Sequence, residues 1–317
     1  MRLVILIFLV LSSSLKAEVE SSYGWDVPNS SLNIGGYLDM TYDDKRDDAF
    51  LFNDIAVILS GNEGRFDLLG EIELSHISLD GRSNGNADVD INVERLQLTY
   101  ALSDTQNIRV GRFNSDIGYW NQAPITILQD TTTKPHIVTN LFPKATTGVL
   151  YKNYINENNS FSLTFQHNKD IAHQDESVEV DRHKAFAYYG EKDDFSWRLS
   201  LGSYRDSNQI EAKYVGIGSM YDGEDFLIQA ELFTQDSNTA HKKPFSGYIQ
   251  PTWHVNDKQD AVFRFESYDD NALDVVEDVY LFAYVYRPTR NVALKAEYIH
   301  HTELPLNRVV YSLSVLF

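Results

Sequence analysis

The segment VVYSLSVLF, Val309–Phe317, decides how this chain has to be read. Val309, Tyr311, Leu313, Val315 and Phe317 fall on one face of an extended segment, and Val310, Ser312, Ser314 and Leu316 on the other. Period-two alternation of this kind makes a β-strand with one side against something apolar. Domains more often finish in a frayed, polar tail, whereas this strand runs to the last residue of the sequence. The apolar partner is either a protein core or a lipid bilayer.

Bulk composition removes several classes. The 317 residues include no cysteine, so there is no disulfide framework and no thiolate chemistry. Acidic side chains outnumber basic ones 46 to 27, a formal charge of −19 that repels nucleic-acid phosphates. Mean hydropathy is −0.34, and no stretch after the start reaches the roughly 18 apolar residues of a transmembrane helix. The opening MRLVILIFLVLSSSLKA sets a basic Arg2 before an apolar run, Leu3–Leu11, and then small polar residues. It reads as a secretory signal peptide over residues 1–17, cut after Ala17 or, since Leu15 is bulky for its place, after Ser14. A short polar lead over 18–30 precedes strand-like sequence over 31–317.

That sequence repeats the alternation of its last segment. LNIGGYLDMTY sets Leu32, Ile34, Leu38 and Met40 against Asn33, Tyr37, Asp39 and Thr41. RFDLLGEIELS sets Phe66, Leu68, Ile72 and Leu74 against Asp67, Leu69, Glu71, Glu73 and Ser75. ERLQLTY sets Leu96, Leu98 and Tyr100 against Arg95, Gln97 and Thr99. About sixteen such segments of roughly ten residues fit the length of a membrane-crossing strand. VYLFAYVY, from Val279, is apolar on both faces, and its sides stay open. The connections alternate between tight polar turns and longer, more variable loops. The turns are GNEG at Gly61, SDT at Ser103, NENN at Asn156, EKDD at Glu191, DGED at Asp222, NDKQ at Asn256 and PTRN at Pro288. Alternation of the two classes is what a barrel gives when its rims face different compartments.

The polar faces favour lipid. Sixteen strands around a dry core would need a continuous apolar interior and would still leave two edges. With the apolar side against hydrocarbon and the charged side around water, every backbone group must pair within the sheet, so the sheet closes. The fold expected is therefore all-β, a closed antiparallel transmembrane β-barrel of about sixteen strands. An even count returns both chain ends to one rim. Tyr42, Tyr100, Tyr151, Trp197 and Trp253 suit interfacial girdles, and Phe317 sits where barrel-assembly machinery would read it.

The signal peptide, the alternating strands and the terminal aromatic resemble Gram-negative outer-membrane porins. A more particular likeness lies in Ile108–Tyr151, where GRF leaves a strand and the barrel resumes at TTGVLY. This resembles the fifth strand, inward-folding third loop and sixth strand of porin and phosphate-selective-porin-like families. The resemblance implies an outer-membrane location, passive diffusion of small solutes, contact with outer-membrane lipid and lipopolysaccharide, and room for a homotrimer. Phosphate preference does not carry over, because the chain is acidic where those lumens are rich in arginine and lysine. The alternative is a non-conducting or enzymatic outer-membrane barrel.

The 114–143 loop is long enough to be functional, and its Tyr119, Trp120, Ile125, Ile127 and Leu128 could pack if it folds back into the lumen. Asp116, Asp130, Lys134 and His136 then become constriction groups. Opposing lumen charges are expected from Arg95, Arg109, Arg198, Lys213, Arg264 and Lys295, and from Asp39, Asp67, Glu71, Glu73, Glu231, Glu266 and Glu297. The acidic excess points to a mild cation preference. No cofactor, metal or catalytic set is expected. DGRSNG at Asp80 has Arg82 where a calcium ligand is needed. His300 and His301 are adjacent and point to opposite faces. Ser78 near His76, and Asp170 near His173, lack a catalytic frame.

Overall fold

The computed structural model describes residues 24–47, 49–78, 90–123, 125–172, 178–239, 242–271 and 274–317. The signal peptide expected over 1–17, the DGRSNG segment and His173 lie outside them. A two-residue strand β1 (Trp25–Asp26) precedes β2 (Leu32–Asp43), β3 (Phe50–Glu63), β4 (Phe66–Ser78), β5 (Asp90–Ser103) and β6 (Gln106–Asn114). After the long loop come β7 (Ala145–Asn156), β8 (Asn159–Gln166), β9 (Val180–Lys192), β10 (Phe195–Asp206) and β11 (Glu211–Asp222). The set ends with β12 (Phe226–Ser237), β13 (Lys243–Asn256), β14 (Gln259–Asp270), β15 (Val275–Thr289), β16 (Val292–His301) and β17 (Arg308–Leu316). From β2 to β17 each strand pairs antiparallel with the next. β17 then pairs back onto β2, from Val310↔Asp43 to Leu316↔Tyr37. The sheet is a closed sixteen-stranded barrel. β1, within the lead segment, adds Trp25↔Ile34 and Asp26↔Asn33 to the edge of β2.

The tight turns close by local chemistry. Asn156 and Asn256 accept the backbone N–H two residues on, from Asn158 and Lys258, each at 3.0 Å. Ser103 Oγ accepts the Thr105 N–H at 3.3 Å. Gly64 and Asp193 supply the positive φ, 62° and 53°, that two-residue hairpins need. All these turns lie on the rim that carries the start of β2 and the end of β17, and the longer connections lie on the other.

The barrel is inside-out relative to a soluble one. Ile72 is 54% exposed on the outer wall, while its neighbours Glu71 and Glu73 are buried inside. In the last strand Val310, Ser312 and Ser314 are buried and Tyr311 is exposed, so the alternation of Val309–Phe317 is apolar outward. The strand with two apolar faces also resolves. Val279, Leu281, Ala283 and Val285 point in, where they cluster with Val262, Ile299 and Val310, and Phe282 and Tyr284 point out. At the seam, Phe317 exchanges both backbone bonds with Gly36, at 2.8 and 2.9 Å. Its ring fills the space that a Cβ at Gly36 would need. Aromatic pairs mark the tight-turn rim, among them Phe66–Tyr100, Phe195–Trp197 and Phe226–Trp253.

Candidate functional site

The connection between β6 and β7 is folded into the barrel. Its neck is closed by Ser115 N–H to Lys144 O at 2.7 Å, and Asn121 Nδ2 donates to both Ser115 O and Lys144 O, at 2.7 and 2.9 Å. Beyond the neck come two single-turn 3-10 segments, Trp120–Gln122 and Thr126–Leu128, and one short helix, α1 (His136–Asn140). Apolar burial draws the loop inward. Ile117, Trp120, Ile137, Val138, Leu141 and Phe142 pack on inward-facing Tyr204, Tyr214, Phe233 and Tyr248 of β10–β13. Ile125 and Ile127 pack on Tyr37, Ala56, Ile58 and Ala293. Each such side chain contributes roughly 2 kcal/mol, so packing outweighs any single ion pair in holding the loop.

A buried loop must also satisfy its backbone. Three glutamates on alternate strands accept its N–H groups. Glu231 of β12 takes Tyr119 and Trp120, Glu266 of β14 takes His136 at 2.8 Å, and Glu297 of β16 takes Thr132 and Thr133. Carbonyls are met from the wall as well. Lys295 Nζ donates to Thr126 O, and Gln235 Nε2 to Leu141 O at 3.2 Å.

Charge pairs fix the loop at three further points. Asp116 accepts from Arg198 at 2.6 Å and lies 3.9 Å from Lys152, and Arg198 lies over the rings of Tyr119 and Tyr189. Burial pushes the Asp116 carboxyl up, but Arg198, Lys152 and a hydrogen bond from Ser162 outweigh it and hold the group below the usual aspartate range. Asp130 accepts from Thr252 at 2.8 Å and from Arg287 at 3.4 Å. Arg264, fully buried, donates to Glu266 at 2.7 Å and to Thr131 Oγ1 at 2.9 Å, beneath Trp120. The His136 ring stacks on Tyr268 at 3.7 Å, with Asp270 3.6 Å from Nε2.

These contacts hold the loop chiefly against β10–β17, with Ile125 and Ile127 touching β2 and β3, and leave space along the rest of the β2–β5 wall. A cavity of about 280 Å³ lies there, lined on the loop side by Thr126, Thr132, Thr133 and Lys134. Its opposite wall carries Asp39, Asp54, Glu71, Glu73 and Glu94. The register stacks them in rows, Asp39↔Asp54↔Ser75 above Tyr37↔Ala56↔Glu73. A bulge in β5, between Glu71↔Arg95 and Ile72↔Val93, brings both Glu94 and Arg95 to the lumen side. Arg95 pairs with Glu71, and Tyr37 donates to Glu73 at 2.8 Å. The cavity is lined mainly by polar and charged groups, suited to holding water and hydrated solutes.

The candidates of the sequence therefore fall into two groups. Asp116, Asp130, His136, Arg198, Glu231, Arg264, Glu266, Lys295 and Glu297 belong to the loop's anchorage, at separate points along it. Glu71, Glu73, Arg95 and Lys134 line the cavity. Arg109 joins neither directly; its Nε donates to Thr99 at 3.4 Å and its guanidinium lies over Phe113. Lys213 is a correction. It is exposed on the outer wall in phase with Val215 and Ile217, because the inward positions of β11 are taken by Ala212 and Tyr214 packed under the loop.

Comparison with solved structures gives the same architecture. An anion-selective porin from Comamonas acidovorans superposes with a TM-score of 0.67 at 14% identity, covering 91% of this chain and 100% of its own. OmpF of Salmonella typhi, solved with daunomycin, gives 0.68 at 10% identity, covering 91% and 98%. The trimer form of OmpT, an outer membrane protein of Vibrio cholerae, gives 0.63 at 12% identity, covering 91% and 99%. This is the fold of a Gram-negative outer-membrane porin. No protein-family model matches the chain, and no curated protein matches it in sequence.

Within that porin fold, several residues of the site escaped sequence reading. Asp54 sits in FLFNDIAVILS, whose apolar majority hides the one acid that faces the lumen. Glu94 is revealed only by the bulge. Tyr204, Tyr214, Phe233 and Tyr248 point inward against the rule that polar residues line a channel. The signal available was the apolar content of the loop itself, which needs an apolar wall to rest on.

Proposed function

We propose that the chain is an outer-membrane diffusion channel for small hydrophilic solutes, with its constriction between the folded-in loop and the acidic wall of β2–β5, and with a preference for cations. The observation that carries this reading is the polar cavity along that wall, lined by Asp39, Asp54, Glu71, Glu73 and Glu94. Asp116 and Asp130, which the sequence puts forward, are engaged by arginines and hold the loop in place. Carboxylates on one wall of a narrow aqueous passage raise the local concentration of cations and repel anions. The Comamonas neighbour is anion-selective by its description, so the shared fold leaves selectivity to the wall residues. Outer-membrane lipid, the assembly machinery reading Phe317, and association of three copies as in the Vibrio neighbour belong to the same proposal.

The test is reversal potential in a salt gradient across a planar bilayer. Wild-type protein is expected to favour cations, and Asp39→Asn, Asp54→Asn and Glu73→Gln together to move the potential toward zero. Unchanged selectivity in that variant removes the acidic wall as the filter. Correctly folded protein with no conductance steps removes the channel and leaves a closed or enzymatic barrel.

A further inference from the structure

The cavity along β2–β5 is charged unevenly from one end to the other. Its outer end lies at the rim of the longer loops, where β2 closes with Asp43. There Arg46 and Arg308 both approach the Asp43 carboxylate, each at 3.7 Å. That is too long for a hydrogen bond, and Arg308 Nε, although buried, has no hydrogen-bond partner among the described residues. Both guanidiniums line the cavity. Asp44 and Asp47 of the same turn are exposed and do not line it, and Asp44 accepts the Val309 N–H at 2.8 Å. Two arginines over one shared carboxylate keep donors for a second one.

Further down β2 the sign reverses. Asp39 accepts from Ser314 at 2.5 Å and from Asn53 at 3.5 Å, and Glu73 accepts from Tyr37 at 2.8 Å. These donors are neutral. The cations nearby are engaged elsewhere, Arg95 with Glu71 and Lys295 with Thr126 O of the loop. Asp54 lies beside Asp39 in the register. Between the two ends stands Thr41, bonded to Asn53 at 3.0 Å, so the intervening step is polar and neutral. At about 3.3 Å per residue along the strand, the arginine end and the acidic end are roughly 13 Å apart.

A solute with a carboxylate at one end and an ammonium at the other matches this order. A single amino acid is too short to reach both ends. An extended peptide spans at most about 3.3–3.6 Å per residue, so about three or four residues cover the gap. The cavity holds about 280 Å³, near the roughly 300 Å³ lower end of ligand pockets, which restricts the side chains to small ones. We infer that this channel passes short peptides of about three or four small residues, with the C-terminal carboxylate on Arg46 and Arg308 and the N-terminal ammonium on Asp39, Asp54 and Glu73. The assignment rests on the diffusion-channel reading and adds a substrate class to it.

The experiment is peptide block of single-channel KCl current across a planar bilayer, with peptide on the side of the longer loops. Trialanine is expected to interrupt the wild-type current. N-acetyl-trialanine and trialanine amide, each missing one terminal charge, should need about tenfold higher concentration, the worth of one charge-assisted hydrogen bond. Alanine, which cannot span the two ends, should need more still. Arg46→Gln with Arg308→Gln should remove the difference between trialanine and its amide. Asp39→Asn with Glu73→Gln should remove the difference between trialanine and its N-acetyl form. Heat-modifiable gel mobility identifies any misfolded variant, and the wild-type comparison of capped with uncapped peptide stands without the variants. Ohmic steps with equal block by trialanine, its capped forms and alanine would overturn the peptide assignment and leave the channel. So would differences between capped and uncapped peptide that survive in both double variants. Folded protein with no steps in KCl would remove the channel and the peptide assignment together.

Discussion

Asp116 is a carboxylate that this protein uses to hold a loop. Arg198 and Lys152 keep its pKa below the ordinary aspartate range, so its contribution to docking is complete above about pH 4 and is lost as pH falls through the lowered value. The part of open-channel noise that depends on Asp116 is therefore expected to be flat between pH 8 and 5 and to rise only in stronger acid. Asp116→Asn should bring that noise to neutral pH, since it strands a buried guanidinium at a cost of about 3–5 kcal/mol. Single-channel recording reads both. Gly118 offers a steric counterpart. It has φ +64°, and a Cβ there would sit 2.9 Å from Glu231 Oε2. Gly118→Ala should cost about 1–2 kcal/mol of docking and speed protease cleavage within the loop while the barrel stays folded. An unchanged cleavage rate would show that Glu231 moves freely and does not anchor this segment.

At the scale of elements, the strands and turns could be read from sequence because each rests on local rules: alternation for the walls, Asn, Ser and Gly chemistry for the hairpins. The β15 segment could not, because both its faces are apolar and only its place beside β14 and β16 assigns Val279 and Leu281 to the interior. The loop was readable as packable, but its resting place was not, since that depends on Tyr204, Tyr214, Phe233 and Tyr248 arriving from four strands. Lys213 points outward because it is in phase with Val215 and Ile217, and the inward positions beside it belong to Ala212 and Tyr214 under the loop. The loop's independence of the barrel can be tested by excision. Asn114 and Ala145 are already paired across β6 and β7, and the neck bond joins Ser115 to Lys144. Replacing residues 119–139 by a short glycine-serine linker should therefore cost little closure entropy. The barrel should still fold, by heat-modifiable mobility, with conductance raised severalfold. Failure to fold would show that the loop is part of the folding core.

At the scale of the whole molecule, the inside-out arrangement ties the separate parts together. A closed sheet without edges satisfies its backbone in hydrocarbon, and the buried acids are gathered around the interior, where Glu231, Glu266 and Glu297 hold loop amides and Asp39, Glu71 and Glu73 face the cavity, while other acids stand exposed in the turns. The same arrangement gives neighbouring residues of one strand opposite tolerances. Ile72 lies at the middle of β4, exposed on the outer wall, and Glu71 beside it faces the lumen and pairs with Arg95. In lipid vesicles, Ile72→Arg is expected to lower unfolding stability in urea by about 2–4 kcal/mol, the cost of a guanidinium on the lipid face at mid-depth. In detergent micelles thin enough to let that side chain reach water, the loss should shrink. Were the outer wall of β4 bathed in water, as in a soluble barrel, the substitution would be nearly neutral in both settings, and a neutral result in vesicles would remove the bilayer from this account of the fold.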